Sequence, residues 1–180
     1  MAHRLTNNMV GSIAYKLTVD GQLIEDISPQ DAIEYLHGAE NIVPGLEAAL
    51  QDKTVGDTFS VVVPPSEGYG DYDEEDIAQF PRSDFEEADA LEVGMEIEFD
   101  MDEDDEDGII EVGKIIDLDE DTVTVDFNHP LAGKTLHYDV QVVEVRPATE
   151  EELALGVPES MFDMFEDDFE DDEQDQGYKN

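Results

Sequence analysis

"EYLHGAENIVPGLEAAL", Glu34 to Leu50, is the stretch on which the fold turns. It is mostly apolar, although it lies in a chain that carries acid almost everywhere else. Two β-branched residues, Ile42 and Val43, precede Pro44-Gly45. A short helix then opens, with Leu46, Ala49 and Leu50 on one face. Proline suits the first turn of a helix, where its missing N–H costs nothing. A helix this short is marginal alone, so it must be held by packing against something larger.

The larger element is strand-rich. Met9 to Val19 alternates, with Met9, Gly11, Ile13, Tyr15, Leu17 and Val19 on one face and Ser12, Lys16 and Thr18 on the other. This is the period of a half-buried strand. Asp20-Gly21 turns the chain, and "QLIED" returns as a second strand. Ile33 to Leu36 is short and apolar. "TFSVVV", Thr58 to Val63, is a strand ended by Pro64-Pro65. "TLHYDVQVVEV", Thr135 to Val145, is the longest strand signal, with Leu136, Tyr138, Val140 and Val142 on one face.

Between these segments the texture changes. "DYDEEDIAQFPRSDFEEADAL" is polar with scattered aromatics, and three strand candidates follow it: "MEIEFDM", "IIEVGKIIDL" and "DTVTVDF". The spacing allows either a sequential meander or a small second domain inserted in a loop of the first. After Val145, Thr149 with Glu152 forms a capping box ahead of a short helix, which Gly156 ends. "MFDMFEDDFEDDEQDQGYKN" then mixes Met and Phe with nearly continuous acid. It reads as a disordered tail or, through Met161, Phe162, Phe165 and Phe169, as a weak amphipathic helix for a partner.

The charge narrows the possible functions. Among 180 residues there are 50 Asp and Glu against 8 Lys and Arg, a formal net charge of −42, and 39% are apolar. Self-repulsion on that scale destabilises a compact state in dilute buffer. The Debye length falls from about 10 Å at 0.1 M salt to about 3 Å at 1 M. The acid is spread along the chain, so the composition points to a salt-filled halophile cytoplasm. No basic patch exists to meet phosphates, which argues against nucleic acid. Without cysteine there is no disulfide, thiolate metal site or Cys nucleophile. No apolar run is long enough for a membrane span, and "MAHRLTNNM" has no signal-peptide core. The expected setting is cytoplasmic, and the expected state a soluble monomer.

Other chemistries find little support. "EDDEDGIIEVGK", Glu103 to Lys114, imitates a calcium loop, with Glu103, Asp105, Asp107 and Gly108 in place. The twelfth position, which should be a bidentate Glu, is Lys114. A solvated acidic turn is the better reading. His3, His37, His129 and His137 lack metal-ligand spacing, and His37 and His129 read as loop residues. No nucleophile elbow or glycine-rich phosphate loop occurs. No metal or cofactor is expected. "SEGYG" displays Tyr69 between two glycines, either as a functional group or as a turn residue packing locally.

"GSIAYKLTVDGQLIED", "YLHG", "IVPGLEAAL", "VGD", "YGDYDEE" and "NHPLAGKTLHYDVQVVEVRPATEEEL" together, in this order, resemble the SlyD-type FKBP peptidyl-prolyl cis-trans isomerases. The likeness runs from about Met9 to Leu155. It is carried mainly by "YLHGAENIVPGLEAAL" and "NHPLAGKTLHYDVQV". The resemblance implies an α+β fold, an FKBP-type antiparallel sheet wrapped around a short helix, with a small β-rich insert-in-flap domain. It divides the chain into an isomerase domain, 1–71 with 128–148, an insert chaperone domain, 72–127, and a helix with an acidic tail, 149–180.

It also implies a function: acceleration of X–Pro rotation in unfolded or nascent polypeptides, the insert holding the chain. The alternative is a folding chaperone with little isomerase activity. Carried onto this sequence, the family pocket falls on Tyr15, Glu25, Tyr69 and Tyr138 as catalytic candidates. Ile24, Ile33, Ile42, Val43, Leu46 and Leu136 are the substrate-binding candidates. Two departures stand out. Leu46 replaces the large aromatic that many members place at the pocket floor. The pocket carboxylate, usually Asp, falls on Glu25, with Asp26 beside it as the alternate. The family's histidine-rich nickel-binding tail has no counterpart after His137.

Overall fold

In the computed structural model, residues 3–85, 88–100 and 110–162 are described. The elements run, in chain order, β1 (Met9–Val19), β2 (Gln22–Ile27), β3 (Ile33–Leu36), α1 (Pro44–Leu50), β4 (Thr58–Val63), β5 (Ile77–Pro81), β6 (Glu96–Asp100), β7 (Ile110–Leu118), β8 (Thr122–Asp126), β9 (Leu136–Pro147) and α2 (Glu150–Leu155). The chain divides into two compact units. One is Met1–Tyr69 together with Lys134–Asn180; the other is Gly70–Gly133.

The first unit is built on an antiparallel sheet ordered β2-β1-β9-β4, with β3 also pairing β1. The Asp20-Gly21 turn works as the sequence suggests: both residues take positive φ and join β1 to β2. β1 pairs with β9 from Met9↔Pro147 to Thr18↔His137. That long register puts Ile13, Leu17, Leu136, Tyr138, Val140 and Val142 on a common face, all of them buried.

Helix α1 packs against this face. Pro44 occupies its first turn, and Gly45, Leu46 and Leu50 are its buried residues. Gly45 is required by contact: a Cβ there would stand 2.6 Å from Val63 Cγ1 on β4. Burying Leu46 and Leu50 contributes roughly 1.5–3 kcal/mol each, enough to hold a seven-residue helix that propensity alone would not.

β1 differs from the half-buried strand the alternation predicts. Val10, Ser12 and Ala14, on its other face, are also buried. Val10 pairs with Arg146, and the Arg146 guanidinium forms two hydrogen bonds, at 2.8 and 2.7 Å, to the carboxylate of Glu152 on α2. Those bonds fix α2 to the end of β9, while Ser12 and Ala14 line grooves bordered by Pro29, from the segment that follows β2. The capping box of α2 is formed and Gly156 ends the helix in the left-handed region.

The second unit is a sheet ordered β5-β8-β7-β6. Its core is Ile115, Val123 and Val125, with Phe80, Phe85, Leu91, Ile97, Phe99, Leu118 and Phe127 packed against them. Phe80 stacks on Phe99 at 4.8 Å between ring centroids. β6, β7 and β8 are the three expected strands. β5 is an addition, lying in the block that reads as polar; it earns its place by lending Phe80 to the core. The unit's chain ends meet, Gly133 N–H donating to Gly70 C=O at 2.8 Å. Asn128 exchanges hydrogen bonds with Asp73, so residues 128–133 fold with this unit.

The calcium-like residues Glu103, Asp105, Asp107 and Gly108, and the tail residues Phe165 and Phe169, lie outside the described residues. No helix among the described residues is long and apolar enough to cross a membrane.

Candidate functional site

Three strands and one loop of the first unit carry the candidate polar groups. Leu17 of β1 pairs with Glu25 on one side and with Tyr138 on the other. Cross-strand neighbours share a face, so Glu25, Leu17 and Tyr138 form a row, with Tyr15 two residues along β1. Tyr69 arrives from the loop that follows Pro64-Pro65. That loop is packed down: a Cβ on Gly68 would stand 3.1 Å from Leu136 Cδ1.

These side chains touch. Tyr15 O–H donates to Glu25 Oε2 at 2.8 Å. The Tyr15 and Tyr138 rings meet edge to face, centroids 5.5 Å apart at 70°. The Tyr69 and Tyr138 hydroxyls are hydrogen-bonded to each other. Burial grades across the group: Tyr138 is 4% exposed, Tyr69 38%, and Glu25 faces solvent.

The electrostatics keep all three phenols protonated. Burial pushes Tyr15 far above the ordinary tyrosine value, with help from its bond to Glu25 and from that carboxylate's charge. Tyr138 is raised as far, by burial first and then by Tyr69 and Glu25. Tyr69 is raised by burial and by Glu25, against the lowering effect of its bond with Tyr138. The group presents O–H donors on an apolar bed and holds no strong base or nucleophile. It can bind and orient a carbonyl.

The alternate carboxylate is placed elsewhere. Asp26 pairs with Lys16 at 2.9 Å, on the face of the sheet opposite Glu25. A bulge sets this phase: Leu17 pairs with Glu25 and Thr18 with Leu23, leaving Ile24 as the extra residue. Bulges re-aim side chains in this way.

The apolar candidates fall into two groups. Leu46 and Leu136 are buried, at 2% and 0% exposure, in the core beneath the tyrosines. Ile24, Ile33, Ile42 and Val43 are partly or largely exposed. Val43 is the residue that starts α1. Ile42 lines a groove with His37, Glu47 and Gln51, and Ile33 one with Pro29, Glu144 and Met161.

Sequence reasoning missed Phe59 and Val61, which pair with Val140 and Tyr138 and so belong to the same face. The alternation Phe59, Val61, Val63 inside "TFSVVV" was the available signal. His37 does lie in a turn, but it is buried there. It sits between Tyr35 Oη at 3.1 Å and Gln51 Oε1 at 3.0 Å.

With this geometry in view, the comparisons with known proteins agree with it. The family model described as FKBP-type peptidyl-prolyl cis-trans isomerase matches residues 3–143. The FKBP-type peptidyl-prolyl cis-trans isomerase SlyD of Vibrio cholerae is 42% identical over 154 residues, covering 85% of this chain and 74% of that protein. SlyD of Haemophilus influenzae is 45% identical over 154 residues, covering 85% and 78%. SlyD of Escherichia coli K12 is 40% identical over the same length, covering 85% and 76%. An antiparallel sheet over one short helix, a displayed tyrosine beside a Tyr–Glu pair, and relatives of this similarity lead to one conclusion: the chain belongs to the SlyD family of FKBP-type peptidyl-prolyl cis-trans isomerases.

Proposed function

We propose that the cluster of Tyr15, Glu25, Tyr69 and Tyr138 is where this isomerase binds and turns the X–Pro bond of a polypeptide substrate. The supporting observation is the run of three touching tyrosines, Tyr15 edge-on to Tyr138 and Tyr138 hydrogen-bonded to Tyr69, which ends on a 38% exposed phenol with a buried apolar bed below it.

An X–Pro bond must cross about 18–20 kcal/mol to rotate, and unaided it takes roughly 10–100 s. The barrier is amide resonance, which separates charge between oxygen and nitrogen. The twisted amide has lost that resonance and is less dipolar than the planar one. A water-poor pocket therefore favours the twisted form. Ile33, Ile42, Val43, Leu46 and the Tyr138 ring supply the dry walls in this reading, with Ile24 and Leu136 bordering them. Tyr69 O–H holds a substrate carbonyl and fixes the peptide's path. Glu25, through Tyr15, braces one wall. No residue forms a covalent bond.

The second unit, 70–133, is assigned the capture of unfolded chain. Its Val93, Met95, Val112 and Ile116 are exposed, apart from the phenylalanines that make its core. Chain held there raises the local concentration of prolines at the site. The protein works as a monomer in a salt-rich cytoplasm, where screening offsets its acid.

A protease-coupled assay on a proline tetrapeptide in molar KCl tests the site. Tyr69→Phe removes one hydrogen bond to the bound carbonyl, so kcat/KM is expected to fall about five- to tenfold in a chain that still folds. Wild-type kcat/KM in that variant would remove Tyr69, and the cluster with it, from the site.

A further inference from the structure

Residues 37–43 join β3 to α1 through turns, and they deliver Ile42 and Val43 to the start of the helix. Two of them, Gly38 and Glu40, take positive φ, at 90° and 59°. For Glu40, which has a Cβ, that conformation is costly and persists only where the surroundings hold it. Three of the hydrogen bonds that hold this segment converge on one side chain, Asn41. Its Oδ1 accepts from Leu36 N–H at 2.9 Å. Its Nδ2 donates to Ala39 C=O at 3.3 Å and to Gly156 C=O at 2.9 Å. We infer that Asn41 is a positioning residue for the isomerase reaction: it clamps this segment between β3 and the C-terminal cap of α2, and so fixes Ile42 and Val43 and makes α2 part of the pocket's scaffold. This rests on the proposal that Ile42 and Val43 are walls of the prolyl pocket.

The side chain suits the task. A carboxamide carries an acceptor and two donor protons on a short stem. The partners here are one N–H and two C=O groups, so a single orientation of the amide satisfies all of them. Both anchors are firm. Leu36 lies on β3, paired with Val10 of β1. Gly156 ends α2 in the left-handed region, its N–H donating to Glu152 C=O. Glu152 in turn is bound twice by Arg146 at the end of β9. The bond from Asn41 to Gly156 spans 115 positions of the chain. A segment that delivers pocket residues thus takes support from an element that contains none of them.

The kinetic consequence follows from what the walls do. They favour the twisted amide only while they stay closed on it. Loosened walls therefore cost the transition state more than the planar substrate, and the loss falls on kcat rather than KM.

The test uses the full chain in molar KCl. Asn41→Asp keeps an acceptor for Leu36 N–H but turns a carboxylate oxygen toward the Gly156 carbonyl. Below its melting temperature this variant should lose about three- to tenfold in kcat on a proline peptide, with KM within twofold. Its Ile42 and Val43 methyl signals should shift in NMR spectra. A purely structural Asn41 would lower the melting temperature and leave kcat of the folded chain unchanged. That result, or unmoved methyl signals, would overturn the proposal. Wild-type kcat/KM in the double variant Ile42→Ala, Val43→Ala would instead overturn the pocket reading on which it rests. Should Asn41→Asp fail to fold, the wild-type chain decides. Saturation with the peptide should shift the Asn41 side-chain amide and Gly156 signals, because coupling between two sites is reciprocal. Signals that stay in place would sink the proposal.

Discussion

At the scale of residues, the candidate site turns on which of two adjacent carboxylates faces the tyrosines. Glu25 accepts from Tyr15, and Asp26 pairs with Lys16 across an exposed strand. The residue types around the site were legible: Tyr15 from the alternation of β1, Tyr69 from its setting between glycines, Tyr138 from the last strand. The phase of β2 was not, because it depends on the bulge at Ile24 and nothing in "QLIED" marks one. The pair therefore makes a direct comparison. Glu25→Gln keeps the size but weakens a charge-assisted bond, worth about 1.5–3 kcal/mol. Activity on a proline peptide should fall several-fold. Asp26→Asn removes a surface ion pair worth about 0–1 kcal/mol, and activity should stay at the wild-type level. The reverse ranking would make Asp26 the pocket carboxylate.

At the scale of elements, the sequence is most readable where a motif closes on itself. The Thr149–Glu152 capping box and the Gly156 stop are local, and both are formed. What the motif could not reveal is that Glu152 has a second task. Fully buried, it accepts two bonds from Arg146 and also the Thr149 and Glu159 N–H groups. β5 and the covered face of β1 were equally hidden, since each depends on a partner distant in the chain. Those bonds, Arg146 first, hold the Glu152 pKa down at about 2 against an ordinary 4.5, despite the opposing effect of burial. The sign follows from linkage: a carboxylate depressed in the folded state stabilises it above its unfolded pKa. That contribution is lost as pH falls from about 4.5 toward 2. At ~1.36 kcal/mol per pH unit the pair is worth on the order of 3 kcal/mol. Denaturant unfolding of wild type and Glu152→Gln should differ by several kcal/mol at pH 7, the usual cost of breaking a buried pair. The gap should narrow steadily below pH 4.5. A pH-independent gap would mean that the carboxylate's charge contributes nothing there.

At the scale of the molecule, the dominant fact is a net charge of −42, borne by a fold whose relatives and core are those of an ordinary isomerase. The charge was wholly legible in the sequence, and so was a texture change near Tyr72. The limits of the second unit were not, because residues 128–133 join it through backbone and Asn128 contacts that leave no compositional trace. The exposed pairs Lys16–Asp26 and Lys134–Asp20 neutralise little of the charge. Folding gathers the rest into a smaller volume, so repulsion opposes it, and screening relieves that repulsion. The melting temperature should therefore climb steeply with KCl from about 0.1 M, where the Debye length is ~10 Å, and flatten near 1 M, where it is ~3 Å. In the Arg146–Glu152 pair the carboxylate is fully buried and the guanidinium 29% exposed, so salt screens it much less than the surface pairs and the Glu152→Gln difference should change little between the two salts. Screening and salting-out can be told apart by the anion. Potassium sulfate and chloride at equal ionic strength should act alike below 1 M if repulsion is the cause. A rise that continues linearly past 1 M and is much larger in sulfate would assign the effect to exclusion of salt from apolar surface, and would remove self-repulsion as its cause.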